Sequence, residues 1–220
     1  MNKPQLYEDL LETWGATLKR LQLTQVADDG LYGGILCPSC ARIHGRTMDA
    51  MYPFLSLAKR KKDQTYLDAA QRIFRWAEHV YRADGGYIGE TNHAWKGITV
   101  FSVIQLAHCL KFHADLLEPK VLDAWRARLR KSVDYLYADM TIGTGNINYP
   151  ITSAASFALA AEVLDDVKYL PKAREFAHAA LTYLTPNGLI FGEGAPQTGV
   201  TDKGCRAVDL GYNVEESLTG

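Results

Sequence analysis

Apolar positions along this chain fall into two alternating kinds of segment. Segments 4–22, 65–82, 121–137 and 169–184 each carry one apolar stripe at helical spacing, which predicts helices with one buried and one wet face. In 65–82 the stripe is Tyr66, Leu67, Ala70, Ile73, Phe74, Ala77, Val80 and Tyr81, with Asp68, Arg72, Arg75 and His79 largely off it. Segments 47–58, 98–112 and 151–164 are apolar nearly all round, as in Ile151-Thr-Ser-Ala-Ala-Ser-Phe-Ala-Leu-Ala-Ala161. A helix without a polar face must be covered on every side. The apolar helices are therefore expected inside and the striped ones outside. Strand signals are weak; Leu189-Ile190-Phe191 could pair briefly, but no sheet is expected.

Gly-rich turns punctuate this alternation at Asp29-Gly-Leu-Tyr-Gly-Gly34, Asp84-Gly-Gly-Tyr-Ile-Gly89, Thr141-Ile-Gly-Thr-Gly145 and Asn187-Gly-Leu-Ile-Phe-Gly192, with starts 55, 57 and 46 residues apart. That period suits one helical hairpin with its loops. The expected fold is all-α: a single domain over 1–220, built as an incomplete (α/α) toroid with about 3.5 hairpins present. After the last turn a new inner helix is expected near Val208, without an outer partner. A closed ring of six hairpins would need roughly 330 residues at this period. The chain is thus expected to be truncated at its C-terminus, with an open end that favours homo-oligomers. Pro119 and Pro150 suit first helical turns, Gly85 and Gly188 are expected as C-caps, and Pro53 predicts a kink or a late helix start.

Composition narrows the function classes. With 24 basic and 25 acidic residues, the formal net charge is −1, and the two signs are well mixed. No basic field exists for nucleic acid and nothing suggests a membrane surface; no apolar run approaches the roughly 18 residues of a membrane span. The N-terminus is interrupted by Glu8, Asp9 and Glu12, unlike a signal peptide, so the chain as written is expected to be cytoplasmic, or periplasmic or secreted if a signal peptide was removed. Four cysteines are too few for a disulfide scaffold. Cys37-x-x-Cys40-x-x-x-His44 resembles part of a zinc site, with Cys205 needed as a fourth ligand. Buried thiols beside a structural histidine are the favoured reading, and neither metal nor cofactor is expected.

The loops entering the inner helices hold the reactive side chains. Glycan recognition calls for aromatic platforms, here Trp95, Tyr149 and Tyr212. Glycosidic hydrolysis calls for two carboxyl groups in different protonation states. The candidates are Asp49, Glu90, Glu193, Asp209, Glu215 and Glu216, of which Asp49, Glu193, Asp209 and Glu216 are the favoured catalytic set. Arg46, Lys96 and Arg206 could pair with a substrate carboxylate, and His44, His93, Asn148, Asn213 and Glu215 complete the binding set. Asp49 could instead cap an inner helix, and Glu215 and Glu216 could complement a helix dipole. His79, His108, His113 and His178 lie in helices and read as structural.

Four motifs carry a resemblance: Cys37-Pro-Ser-Cys-Ala-Arg-Ile-His-Gly-Arg-Thr-Met-Asp-Ala-Met-Tyr-Pro-Phe-Leu55, Trp95-Lys-Gly-Ile-Thr-Val-Phe101, Gly145-Asn-Ile-Asn-Tyr-Pro150 and Gly204-Cys-Arg-Ala-Val-Asp-Leu-Gly-Tyr-Asn-Val-Glu-Glu-Ser-Leu218. Over nearly the whole chain they resemble a bacterial family of the six-hairpin glycosidase superfamily, similar to glycoside hydrolase family 154. That resemblance implies an (α/α)6 toroid, export, and β-glucuronidase-like action on plant polysaccharide side chains. By motif it matches His44, Arg46, Asp49, Trp95, Lys96, Asn148, Asp209, Asn213, Glu215 and Glu216, without assigning catalytic roles. Relatives continue well past this C-terminus, which puts hydrolysis by this polypeptide in question.

The expected function is thus a glycoside hydrolase acting on an oligosaccharide or polysaccharide that contains uronic acid. One alternative is a toroidal polysaccharide lyase or sugar epimerase, using His44, His93 or Tyr149 for proton transfer and Arg or Asn148 on the carboxylate. Another is a non-catalytic remnant that binds glycan or only oligomerises.

Overall fold

The computed structural model describes residues 3–90, 95–144 and 146–191. Seven α-helices occur among them: α1 Lys3–Leu21, α2 Met51–Lys61, α3 Gln64–Trp76, α4 Thr99–His113, α5 Pro119–Asp139, α6 Asn148–Leu164 and α7 Leu170–Leu181. No strand is present among the described residues, only the isolated antiparallel bridges Gln22–Ile35, Tyr81–Tyr87 and Leu184–Ile190. The all-helical, two-layer expectation holds. The inner helix expected near Val208 lies outside the described residues.

The inner helices pack in series, α2 on α4 and α4 on α6, while α3, α5 and α7 back them from outside. Burial follows this layering. On α4, residues as different in angular position as Val100, Phe101, Val103, Leu106, Cys109 and Leu110 are all buried. On α5 burial is confined to a stripe through Trp125, Arg128, Leu129, Ser132, Val133 and Leu136. Trp125 stacks on Phe74 of α3 with ring centroids 4.8 Å apart. The Arg128 guanidinium lies 3.8 Å over the same Phe74 ring, donates to the Phe74 carbonyl at 2.9 Å and pairs with Glu78. α1 is the least covered helix: Leu11 and Gly15 are buried, whereas Leu6, Tyr7, Leu10 and Trp14 are exposed.

Three local expectations need adjusting. α2 begins at Met51 after a 3-10 stretch, Gly45–Ala50, so Pro53 falls in its first turn. There a missing N–H leaves no intrahelical bond unmade, and the late start is realised. The striped segment 65–82 does not stay helical. It passes through a 3-10 turn at Ala77–His79 and enters the Tyr81–Tyr87 bridge. Gly85 and Gly188 accordingly are not helix C-caps; both take positive φ inside the turns that close the second and third bridges. A Cβ on Gly85 would lie 2.4 Å from the Lys131 carbonyl oxygen, so close approach as well as φ demands glycine. The left-handed helix caps are instead Lys62 after α2 and Asp165 after α6.

Candidate active site

Two loops close over the start of α4. In the first, Cys37 N–H donates to the Arg42 carbonyl at 2.8 Å and Ala41 N–H to the Cys37 carbonyl at 2.9 Å. These bonds fold Cys37–Arg42 into a tight knuckle, with Ala41 in the left-handed region at φ 55°. The second loop follows the Tyr81–Tyr87 bridge, where Ile88 N–H donates to the Val80 carbonyl at 3.0 Å. One backbone bond stitches the loops together: Gly45 N–H donates to the Gly89 carbonyl at 2.7 Å.

That stitch brings His44 beside Glu90. The imidazole Nδ1 stands 3.3 Å from Glu90 Oε1, and Arg42 Nη1 donates to Glu90 Oε2 at 3.0 Å. The other imidazole nitrogen, Nε2, is 3.0 Å from Cys40 Sγ. Cys40 is exposed and Cys37 half-buried, which corrects the expectation of buried thiols. Backbone N–H groups of Cys40 and Ser39, then the Cys40 and His44 side chains, stabilise the Cys37 thiolate against the cost of burial and lower its pKa to about 7. The Cys37, Cys40 and His44 donor atoms all lie within 4.8 Å of one another.

These groups form one wall of an open cleft of about 600 Å³, lined by Arg42, His44, Arg46, Gly89, Glu90, Trp95 and Ile98. Arg46 lies 3.8 Å over the Phe101 ring, and its Nε donates to Asp49 Oδ2 at 2.6 Å. This ion pair, rather than a cap on α2, takes up the Asp49 carboxylate; the N-cap of α2 is Ala50. Trp95, 42% exposed, meets Tyr149 edge-on at 5.0 Å, and Tyr149 in turn meets Phe101 at 5.4 Å. Tyr149 and the buried Asn148 sit on the first turn of α6. The structure therefore joins residues from three separate segments: His44 and Arg46, then Trp95, then Tyr149.

Lys96 turns away from this cleft. It pairs with Asp84, lies 5.5 Å from the Tyr135 ring and lines a separate hollow with Trp95, Tyr135 and Asp139. Lys96 and the Gly86 N–H hold the Asp84 carboxyl below the ordinary carboxylate range. His93, Glu193, Arg206, Asp209, Tyr212, Asn213, Glu215 and Glu216 lie outside the described residues, as does Cys205. Arg42 is the residue that sequence reasoning overlooked. Its only signal was its place inside the Cys37–His44 motif, and its partner Glu90 lies 48 residues away. Among the described residues the main cleft holds one carboxylate, Glu90, set between Arg42 and His44.

Comparison with known proteins bears on the family and the fold. The family profile of the ulvan lyase N-terminal domain matches residues 11–220. A broad-specificity ulvan lyase from Formosa agariphila is 37% identical over 217 residues, covering 97% of this chain and 34% of that protein. The chain thus spans about a third of that relative's length. Among solved structures, a polysaccharide lyase matches with a TM-score of 0.58 at 17% identity, over 76% of this chain and 54% of its own. A possible member of the GH105 family from Salmonella enterica matches with a TM-score of 0.68 at 15% identity, over 95% of this chain and 60% of its own. At these identities the two structures speak for the fold, which is the helical toroid of the six-hairpin class. The resemblance to that class stands, while its narrowing to glycoside hydrolase family 154 finds no support.

Proposed function

This chain belongs to the ulvan lyase N-terminal domain family, and from that premise we propose that it takes part in eliminative cleavage of a uronic-acid polysaccharide. The observation that carries this reading is what the main cleft holds among the described residues: two arginines, a histidine and an aromatic platform around one already paired carboxylate. Hydrolysis needs two carboxyl groups flanking the scissile bond, separated by roughly 5–9.5 Å. Elimination needs something else. A cation must neutralise the uronate carboxylate so that the adjacent C5–H becomes acidic; a base then removes that proton. The C4–O bond breaks, a C4=C5 double bond forms, and the departing oxygen takes up a proton.

Arg46 and Arg42 supply the cations, and each can trade its present carboxylate partner for the substrate's. Trp95 offers the exposed platform on which a sugar ring stacks. His44 is poorly suited to act as the base, because both its nitrogens are engaged, one by Glu90 and one by Cys40. Tyr149, whose ring meets Trp95 edge-on, is the phenol to which this reading assigns the proton transfer. This reading departs from the expected hydrolase and follows its eliminative alternative.

The test is to incubate the chain with ulvan and follow both the ultraviolet absorbance of unsaturated uronate ends and the binding of uronate oligosaccharides by calorimetry. Unsaturated ends are expected, lost by about 100-fold or more in Tyr149→Phe. Binding is expected to weaken about tenfold in Arg46→Ala. New reducing ends without the double bond, or neither cleavage nor binding, would overturn the proposal.

A further inference from the structure

The cluster of Cys37, Cys40 and His44 is not needed for elimination, yet its geometry is specific. From their arrangement we infer a binding site for a zinc-class divalent cation, with Cys37 Sγ, Cys40 Sγ and His44 Nε2 as three of its ligands. The inference goes beyond the proposed activity and does not depend on it.

Four observations support it. The three donor atoms lie within 4.8 Å of one another. A tetrahedral ion with bonds of about 2.3 Å to sulfur and about 2.0 Å to nitrogen would set them about 3.5–3.8 Å apart. The 3.0 Å contact between Cys40 Sγ and His44 Nε2 would therefore open by about half an ångström. Second, the chain between the thiols is a knuckle closed by two backbone hydrogen bonds, with the residue after Cys40 held at positive φ. Such a turn keeps both sulfurs on one short, closed loop. Third, Glu90 Oε1 stands 3.3 Å from Nδ1, on the side of the ring away from the thiols, so that Nε2 is the nitrogen offered to the cation; a carboxylate beside the other nitrogen is the usual outer-shell support of a metal-bound histidine. Fourth, Arg42 binds the other Glu90 oxygen and so fixes that carboxylate in place. Two thiolates and an imidazole favour zinc over magnesium or calcium, which prefer oxygen donors. Three protein donors leave one tetrahedral position for water or a further ligand.

Seated there, the ion would brace the Cys37–Arg46 loop, and with it the side of the cleft from which His44 and Arg42 meet Glu90. The test is elemental analysis of the chain purified under reducing conditions from zinc-supplemented medium, together with titration by cobalt(II). About one zinc per chain is expected. Cobalt should give a thiolate-to-metal charge-transfer band with intense d–d absorption of tetrahedral type. Cys40→Ser should abolish that band, Glu90→Gln should weaken metal affinity about 10–100-fold, and Ser39→Ala, which keeps all three donors, should bind as the parent does. The cobalt titration needs only the parent protein, so it decides the matter even if Cys40→Ser fails to fold. A folded parent chain with less than about a tenth of an equivalent of zinc and no charge-transfer band would overturn the inference. So would Cys37 and Cys40 joined as a disulfide in the freshly purified protein.

Discussion

Gly45 carries no functional group, yet the candidate site depends on it. A Cβ at this position would stand 2.4 Å from the Ile88 carbonyl oxygen and 2.4 Å from Ile98 Cδ1. The first of these is backbone and cannot swing aside. Gly45→Ala must therefore part the two loops that bring His44 to Glu90 and Arg42 to Glu90. We expect a stability loss of about 1–3 kcal/mol in denaturant melts, with helical circular dichroism retained and uronate binding reduced. An unchanged melt and unchanged binding would show that the loops can separate without consequence. The neighbouring His44, Arg46 and Trp95 could be picked out beforehand, because reactive side chains crowd into short loops beside inner helices. The role of Gly45 could not, since what it avoids is a carbonyl 43 positions further along the chain.

At the scale of elements, α2 and α4 meet through a buried polar contact: His113 Nε2 lies 3.0 Å from Ser56 Oγ. Burial, and then the Lys59 charge, lower the His113 pKa from 6.5, while Asp115 partly opposes them. His108, packed against Tyr52, shifts the same way, by burial first and the Lys111 charge second. The sign follows from linkage. Between the folded pKa and 6.5 the unfolded chain binds more protons than the folded one, so stability rises with pH there and falls on acidification. The denaturant midpoint should drop between pH about 7.5 and about 5.5, and the drop should shrink when His108 and His113 are both replaced by Gln. Carboxylates held low by hydrogen bonds, such as Asp63 by Thr65, act in a different window, below the ordinary 3.8. A drop of undiminished size in the double variant would assign the effect elsewhere. Placing these histidines in helices needed only the sequence. Their shared contact with Tyr52, and that of His113 with Ser56, needed the crossing of α2 and α4.

Taken whole, the described residues form a series in which each helix packs chiefly on its neighbours, from α1 through α2, α4 and α6 to α7. Stability in such an arrangement grades from the covered middle toward the ends. α4 is buried along most of its length, whereas α1 buries only Leu11 and Gly15, and α7 only Ala173 and Phe176. Amide hydrogen exchange should be slowest in α4, and α1 and α7 should exchange by local opening well before global unfolding. Equal protection in α1 and α4 would mean that the ends are covered in solution, as association through the exposed Leu6, Tyr7, Leu10 and Trp14 face of α1 would produce. The family relation extends this picture: the Formosa agariphila relative is about three times as long, so the remaining part of a comparable protein would meet a scaffold already ordered at its centre.

The sequence by itself determined the helical class, the inner and outer layers, and the loops that carry polar chemistry. Each of these follows from local periodicity, because a stripe of apolar residues or its absence dictates how many sides of a helix are covered. The tertiary structure alone decided which loops meet. It set Glu90 against His44 and Arg42, sent Lys96 to Asp84 instead, and paired Arg46 with Asp49. It also brought two thiols and an imidazole to one point, turning a short motif that read as structural into a candidate metal site. Pairings of this kind are set by close approach of backbones distant in sequence, as at Gly45 and Gly89, and no local pattern records them.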